Sequence, residues 1–426
     1  MDRSPEPVRS IRPCIPTILA AVIVSIFGTI VVTDLVRNVR ENQMAAEVIP
    51  FTGTIEIPPT AASELNDQQE PYPQPGETMQ AAGPAKATST LYLPVATQSA
   101  RLIGPQGLEQ RPYSDNSPWN TSIGQNPQYD PYSDEMIATI GMDNDGRITS
   151  DPDQYSYPIY YADASTPRYD IPCTRYKCTV VTPSGASTFE ELKDVPIPSN
   201  ARPSVGSDGQ MIIIDKNTHT EYDLWQVVRT SNGWSVSNAS VYNITWDGVP
   251  PRYGSRGAGV PYLAGLVRPS EIAQGRIEHA LAFAYSYAAE DRCVFPASKT
   301  DGKSDLPYAI PQGARIQLDP SLTEADFDRL GLSRTGKIIA RALQEYGMIL
   351  IDNSGRPKIY AEDLKNNPLS STKWTDRGLD LNSTTISNIP YTSFRVIKLP
   401  EYYWSEGTQG PLHGKCFIDP SISIAP

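Results

Sequence analysis

The sequence predicts a mainly β domain, a sandwich or barrel with one or two short helices, preceded by a single N-terminal transmembrane helix and a disordered stalk. Three observations carry that prediction. From Pro112 onward the chain is a series of short apolar runs bounded by Gly, Pro, Asn and Asp; Thr17–Thr33 is uncharged and apolar; and a Pro-, Ala-, Thr- and Gln-rich segment lies between them. Many short strands separated by turn signals indicate stacked sheets rather than alternating β–α units. Composition agrees, with 40 prolines among 426 residues and 23 tyrosines against 8 phenylalanines.

At the front, the apolar stretch extends to Val36 if Asp34 is included. Residues 17–36 are then long enough for a bilayer core of ~30 Å, which takes about 20 helical residues. Arg3, Arg9 and Arg12 outweigh Asp2 and Glu6 before it, so the positive-inside bias places residues 1–16 in the cytoplasm and the bulk of the chain outside. A cleaved signal peptide would have an apolar core of about 7–15 residues and a small-x-small cleavage site. Val31-Val32-Thr33-Asp34 offers no such site, and a retained signal-anchor is the expectation. Residues 37–110 read as the stalk, because their composition buries too little apolar surface to offset chain entropy. The β domain fills residues 111–400, and 401–426 form a C-terminal tail.

Within the domain the predicted strands are Tyr157–Tyr161, Cys178–Thr182, Met211–Ile214, Glu221–Arg229, Gly233–Val236, His279–Tyr285, Arg315–Leu318, Gly347–Ile351 and Phe394–Lys398. Ser231-Asn232-Gly233 supplies a hairpin turn, since Asn-Gly accepts the positive φ such turns require. Two helices stand out. Pro269–Gly275 has Ser270 as its N-cap and Gly275 as its stop. Thr335–Tyr346 carries Ile338, Ile339, Ala342 and Tyr346 at helical spacing, a stripe suited to packing on a sheet.

Charge narrows the partners. The chain has 36 basic and 48 acidic residues, and removing the five Arg and three acids of residues 1–40 leaves 31 against 45. Phosphate polymers require the opposite balance, so a nucleic-acid partner is excluded. Tyr253–Gly259 is glycine-rich but lacks the Lys-Ser/Thr ending of a phosphate loop, so it implies no nucleotide. The partners left are the membrane, through the N-terminal helix, and a glycan or cell-surface component. Four cysteines lie beyond the anchor, Cys173, Cys178, Cys293 and Cys416, as suits an oxidising compartment. They allow three pairings; Cys173 with Cys178 closes the smallest loop and leaves Cys293 for Cys416. A zinc site is disfavoured because no CxxC spacing occurs.

Several phrases resemble a known family. They are Ser117-Pro118-Trp119-Asn120, Tyr155–Asp163 (YSYPIYYAD), Gly206-Ser207-Asp208-Gly209, Glu221–Trp225 (EYDLW), Pro261–Pro269 (PYLAGLVRP), Gly275–Leu281 (GRIEHAL) and Leu343–Asn353 (LQEYGMILIDN). Together, over about residues 112–400, they resemble a widespread, uncharacterised family of secreted or surface-anchored proteins, mostly bacterial. The resemblance implies an extracellular β-rich domain of jelly-roll-like sandwich form and names no activity. Many members carry His where this chain has Gln210, so any chemistry resting on that histidine is lost here.

The strongest chemical constellation joins Glu221, Asp223 and Trp225 with His279. Residues 221, 223 and 225 of a strand share one face. Two carboxylates and an indole on one face suit a sugar cleft, with the carboxylates as acid and base or nucleophile and the ring as a stacking platform. His279, ahead of the alternating run of Leu281 and Phe283, would enter the same cleft to move protons. Tyr160, Tyr161 and Asp163 are the further substrate-binding candidates. The expected function is thus carbohydrate engagement, with glycoside hydrolase or polysaccharide lyase chemistry as its catalytic form. The alternative is a non-catalytic surface protein for structure, adhesion or assembly, in which Trp225 is core and the carboxylates are turn or rim residues. No cofactor is expected. Calcium enters only through Asp143-Asn144-Asp145-Gly146 with Asp151 and Asp153, which fails the EF-hand register and reads first as an acidic turn.

Overall fold

The computed structural model describes residues 111–251 and 253–400. The expected cytoplasmic segment, membrane helix, stalk and C-terminal tail lie outside the described residues. Among those described, no helix is long and apolar enough to cross a membrane.

Among the described residues, sixteen strands, numbered in chain order, form two six-stranded sheets and two ribbons. The first sheet runs in the order β1 (Thr149–Ser150), β15 (Lys358–Ile359), β12 (Leu281–Tyr285), β14 (Met348–Asn353), β13 (Arg315–Leu318) and β16 (Phe394–Val396). The second is ordered β2 (Ile159–Ala162), β7 (Met211–Asp215), β8 (Thr220–Trp225), β11 (Asn238–Asn243), β4 (Cys178–Thr182) and β5 (Gly185–Phe189). The ribbons pair β3 (Arg168–Pro172) with β6 (Glu191–Pro196), and β9 (Val228–Thr230) with β10 (Gly233–Ser235). Four α-helices accompany them: α1 (Ser133–Gly141), α2 (Pro269–Gln274), α3 (Glu324–Arg329) and α4 (Arg334–Glu345).

The layering follows from the two-residue alternation of side chains along each strand. Ala282, Ala284, Ile349 and Ile351 of the first sheet meet Ile159, Ile212 and Ile214 of the second in a shared core between the sheets. On the outer face of the first sheet, Leu281, Phe283, Met348 and Leu350 pack with Ile137, Phe327, Ile339 and Leu343 of the helices. On the outer face of the second, Tyr160, Met211, Ile213 and Leu224 pack with Ile171, Leu192, Val195 and Trp234 of the ribbons. Strands apolar on both faces read as unbroken hydrophobic runs, which is how Met211–Ile214 and Met348–Ile351 appear in the sequence.

Three sequence expectations need correction. Both sheets are mixed: β1–β15, β12–β14, β2–β7 and β11–β4 are parallel. A jelly roll is antiparallel, so the stacked sheets do not have that pairing. Among the described residues the helices number four, not one or two, because the short α1 and α3 lack long apolar stripes. Glu221–Arg229 is not one strand, since Gln226 takes φ 50° and divides β8 from β9.

The helix α4 behaves as its stripe predicts. The Ser333 hydroxyl caps it by accepting from the Gly336 N–H at 3.2 Å. Gly347 follows with φ +73°, where a Cβ would stand 2.6 Å from the Ile316 carbonyl oxygen. Gly347→Ala should therefore lower folding stability by about 1–3 kcal/mol, from positive-φ strain and a backbone clash. Urea denaturation against the parent chain measures it.

Candidate functional site

On β8 the inward-facing residues are Glu221 and Asp223. Register places Glu221 between Ile214 of β7 and Tyr242 of β11, and Asp223 between Ile212 and Ser240. The shared face read from the sequence is correct, but it turns towards the other sheet rather than a cleft. Glu221 is 0% and Asp223 1% exposed. Their oxygens are engaged by distant parts of the chain. The Tyr113 hydroxyl donates to Glu221 Oε2 at 2.7 Å, the Leu263 N–H donates to Oε1 at 2.9 Å, and the Tyr262 N–H donates to Asp223 Oδ2 at 2.7 Å.

The two carboxyls lie close enough to feel one another's charge. Burial pushes the Glu221 carboxyl up from its ordinary range. Asp223 is pushed up much further, by burial and then by the charge of Glu221. Beside the pair lies Arg256, 7% exposed, which donates to the carbonyls of Ala264 (3.0 Å) and Tyr262. Its guanidinium sits 4.8 Å from the Tyr157 ring centroid and 5.1 Å from that of Tyr360.

His279 does not join this pair. It is 2% exposed and hydrogen-bonded within a second cluster, with Nε2 2.9 Å from Glu271 Oε1 and Nδ1 2.9 Å from the Ala280 carbonyl. Both ring nitrogens thus face oxygen atoms. Arg268 Nη2 donates to the same Glu271 oxygen at 2.6 Å, and the Arg268 N–H donates to Oε2 at 3.0 Å. This Glu closes a capping box on α2; the N-cap is Arg268, two residues before the predicted Ser270. Burial alone would raise the Glu271 carboxyl, but the adjacent charges of Arg268 and His279 overcome it and bring it down to about 2. Val267 bridges Ala361 in parallel, which sets the next residue, Glu362, beside Arg268. Glu362 is pushed up to about 8 by burial, which the Arg268 charge only partly offsets.

The other candidates disperse. The Tyr160 side chain is buried among the ribbons, its hydroxyl donating to the Arg202 carbonyl at 2.8 Å. Tyr161 is half-buried against the inter-sheet core. Asp163 builds a surface turn, accepting from the Ser165 N–H at 2.9 Å and hydroxyl at 2.7 Å. Trp225 is half-buried and stacks on Tyr176, centroids 6.3 Å apart at 24°. None of these rings joins the carboxylate pair in a common cleft.

Cys173 and Cys178 form a disulfide with a Cα–Cα separation of 5.8 Å. Cys293 is also disulfide-bonded; Cys416, the partner expected for it, lies outside the described residues. Three of the four acids of the calcium-like stretch are otherwise occupied. Asp143 Oδ2 accepts from the Ser286 N–H at 3.1 Å, Asp151 pairs with Arg356 at 3.4 Å, and Asp153 with Lys365 at 3.2 Å. Among the described residues no group of three or more His, Cys, Asp or Glu is placed to hold a metal ion.

An open groove of about 440 Å³ runs along α4, lined by Gly275, Glu324, Leu332, Arg334, Lys337, Ile338 and Arg341. Glu324 holds Arg341 at 2.7 Å and Lys337 at 3.4 Å. Arg334 Nη1 donates to the Ile272 and Gly378 carbonyls at 2.9 and 3.0 Å. The sequence reading missed this groove, although Arg334, Lys337 and Arg341 fall at helical spacing opposite the apolar stripe. It also missed Glu271, whose position three residues into a Pro-started helix marks a capping box. A comparison with family models, curated proteins and solved structures finds no match.

Because Glu362 keeps its proton to about pH 8 when folded and loses it near pH 4.5 when unfolded, stability should fall with rising pH between those values, by about 1.4 kcal/mol per unit. Glu362→Gln should remove that slope and raise stability at pH 7 by a few kcal/mol at most. Urea melts across that range, parent against variant, provide the comparison.

Proposed function

We propose that this chain is a membrane-anchored, extracytoplasmic β domain that engages carbohydrate by binding it rather than by cleaving it. The observation that carries the non-catalytic part is the state of the Glu221–Asp223 pair. A hydrolytic pair must flank a glycosidic bond, with a proton on one group and room for water or a sugar at the other. Here both carboxyls are sealed between sheets and committed to Tyr113, Tyr262 and Leu263. For binding, the α4 groove offers the better chemistry. Guanidinium groups present donors in a planar fork that matches a carboxylate, and Glu324 and the α2 carbonyls fix Arg341 and Arg334 in place. A uronate-bearing glycan supplies both carboxylates and hydroxyls for that set.

The anchored, exported arrangement is supported by the apolar segment 17–36 with its arginine flank and by the Cys173–Cys178 disulfide, since disulfides persist in oxidising compartments. The non-catalytic alternative, a purely structural or assembly subunit, shares the sealed carboxylates and parts from this reading only at the groove.

A panel of neutral and acidic oligosaccharides, with calorimetry and product analysis on the purified ectodomain, tests the reading. Uronate oligomers should bind and neutral ones should not, with no new reducing ends released. Affinity should fall as salt rises from about 0.05 to about 0.5 M, and roughly tenfold in Lys337→Gln/Arg341→Gln. New reducing ends would restore the hydrolase, and no binding at all would leave the structural subunit.

A further inference from the structure

We propose that Glu221 and Asp223 share a single proton and form a latch, fastening the Tyr262–Arg268 loop and the Tyr113 arm to β8 and releasing them when both carboxyls ionise. Asp223 Oδ1 is buried and has no hydrogen-bond donor among the described residues. A buried carboxylate oxygen without a donor is costly. A proton on Oδ1 removes the problem, because the group then donates to the Glu221 carboxylate beside it. That assignment also agrees with the remaining bonds: Glu221 keeps two donors, the Tyr113 hydroxyl and the Leu263 N–H, as an anion requires.

The surroundings set the charge count. The groups facing the pair are Tyr113 from the N-terminal arm, Tyr242 from β11, Ser255, Arg256 and Tyr262 from the loop, and Tyr157 ahead of β2. Arg256 is the one cation in that set, and it also faces Asp352 of β14. Asp352 itself stands against Asp301. One net negative charge on the pair is therefore what Arg256 can neutralise. Two would leave an uncompensated anion between apolar sheets, and the four phenols cannot relieve it, since each is itself raised by burial.

The mechanical consequence is local. Tyr262 and Leu263 lend only two N–H groups to the carboxyls, and repulsion within a doubly charged pair acts first on those contacts. The strands flanking it are held by complete ladders, five pairs between β7 and β8 and six between β8 and β11.

Hydrogen exchange of the full chain, read by peptide at about pH 6, 8 and 10 and corrected for the intrinsic rate, tests the latch. Protection over residues 258–267 should fall roughly tenfold or more from the lowest to the highest pH while β7 and β8 stay protected. Asp223→Asn keeps a donor towards Glu221 and cannot ionise, so its loop should hold protection throughout. Equal protection of the parent loop at all three pH values overturns the proposal, as does loss of the loop and both strands in one step. Should the Asn variant fail to fold, the parent profile decides on the same two criteria.

Discussion

Placing two acidic side chains side by side between apolar sheets is the constraint around which the rest of this domain is arranged. An ionised carboxylate leaves water only if donors or a proton replace its hydration. β8 cannot supply them, because its own N–H groups are used in the ladders to β7 and β11. The donors come from 39, 42 and 108 positions away, at Tyr262, Leu263 and Tyr113. The course of the 253–268 loop follows from that need. Arg256 ties the loop to itself through the Tyr262 and Ala264 carbonyls, and Gly265, with φ +71° and no room for a Cβ beside the Ala282 nitrogen, lets it lie against β12.

The same loop delivers Arg268 to the second cluster, and the two clusters solve one problem in opposite ways. Around Glu271, Arg268 and His279 keep the acid ionised. Around Glu221 and Asp223, the nearest cation is shared with Asp352, and a proton makes up the difference. Glu362 shows how narrow the margin is, since burial keeps it protonated although Arg268 stands beside it, and the charge of Glu271 adds to that.

Much of the fold is legible in the residues, and the limits are physical. β4 and β13 fall where their apolar runs place them, and the Asn232-Gly233 turn joins β9 to β10. β11 went unseen because Asn238-Ala239-Ser240-Val241-Tyr242-Asn243 hides an inward polar face, on which Ser240 and Tyr242 stand opposite Asp223 and Glu221. β3 and β5 are largely exposed and carry no apolar alternation to detect. At the site, the shared face of Glu221 and Asp223 was readable from strand periodicity, but not which way that face points. His279 was expected in the same cleft as that pair, but it lies against Glu271, on a helix whose packing no local pattern reveals.

The parallel pairs carry a kinetic consequence. Thr149 and Ser150 find their neighbours only at Lys358 and Ile359, and Ile159–Ala162 only at Ile212–Asp215. Antiparallel hairpins can zip as they emerge, whereas these edges wait for a strand made much later, at a large loop-closure cost. A domain that crosses a membrane from residue 111 onward would hold β1 unpaired until nearly the whole of it had crossed. Its surroundings on the far side would therefore have to shield an open sheet margin during translocation.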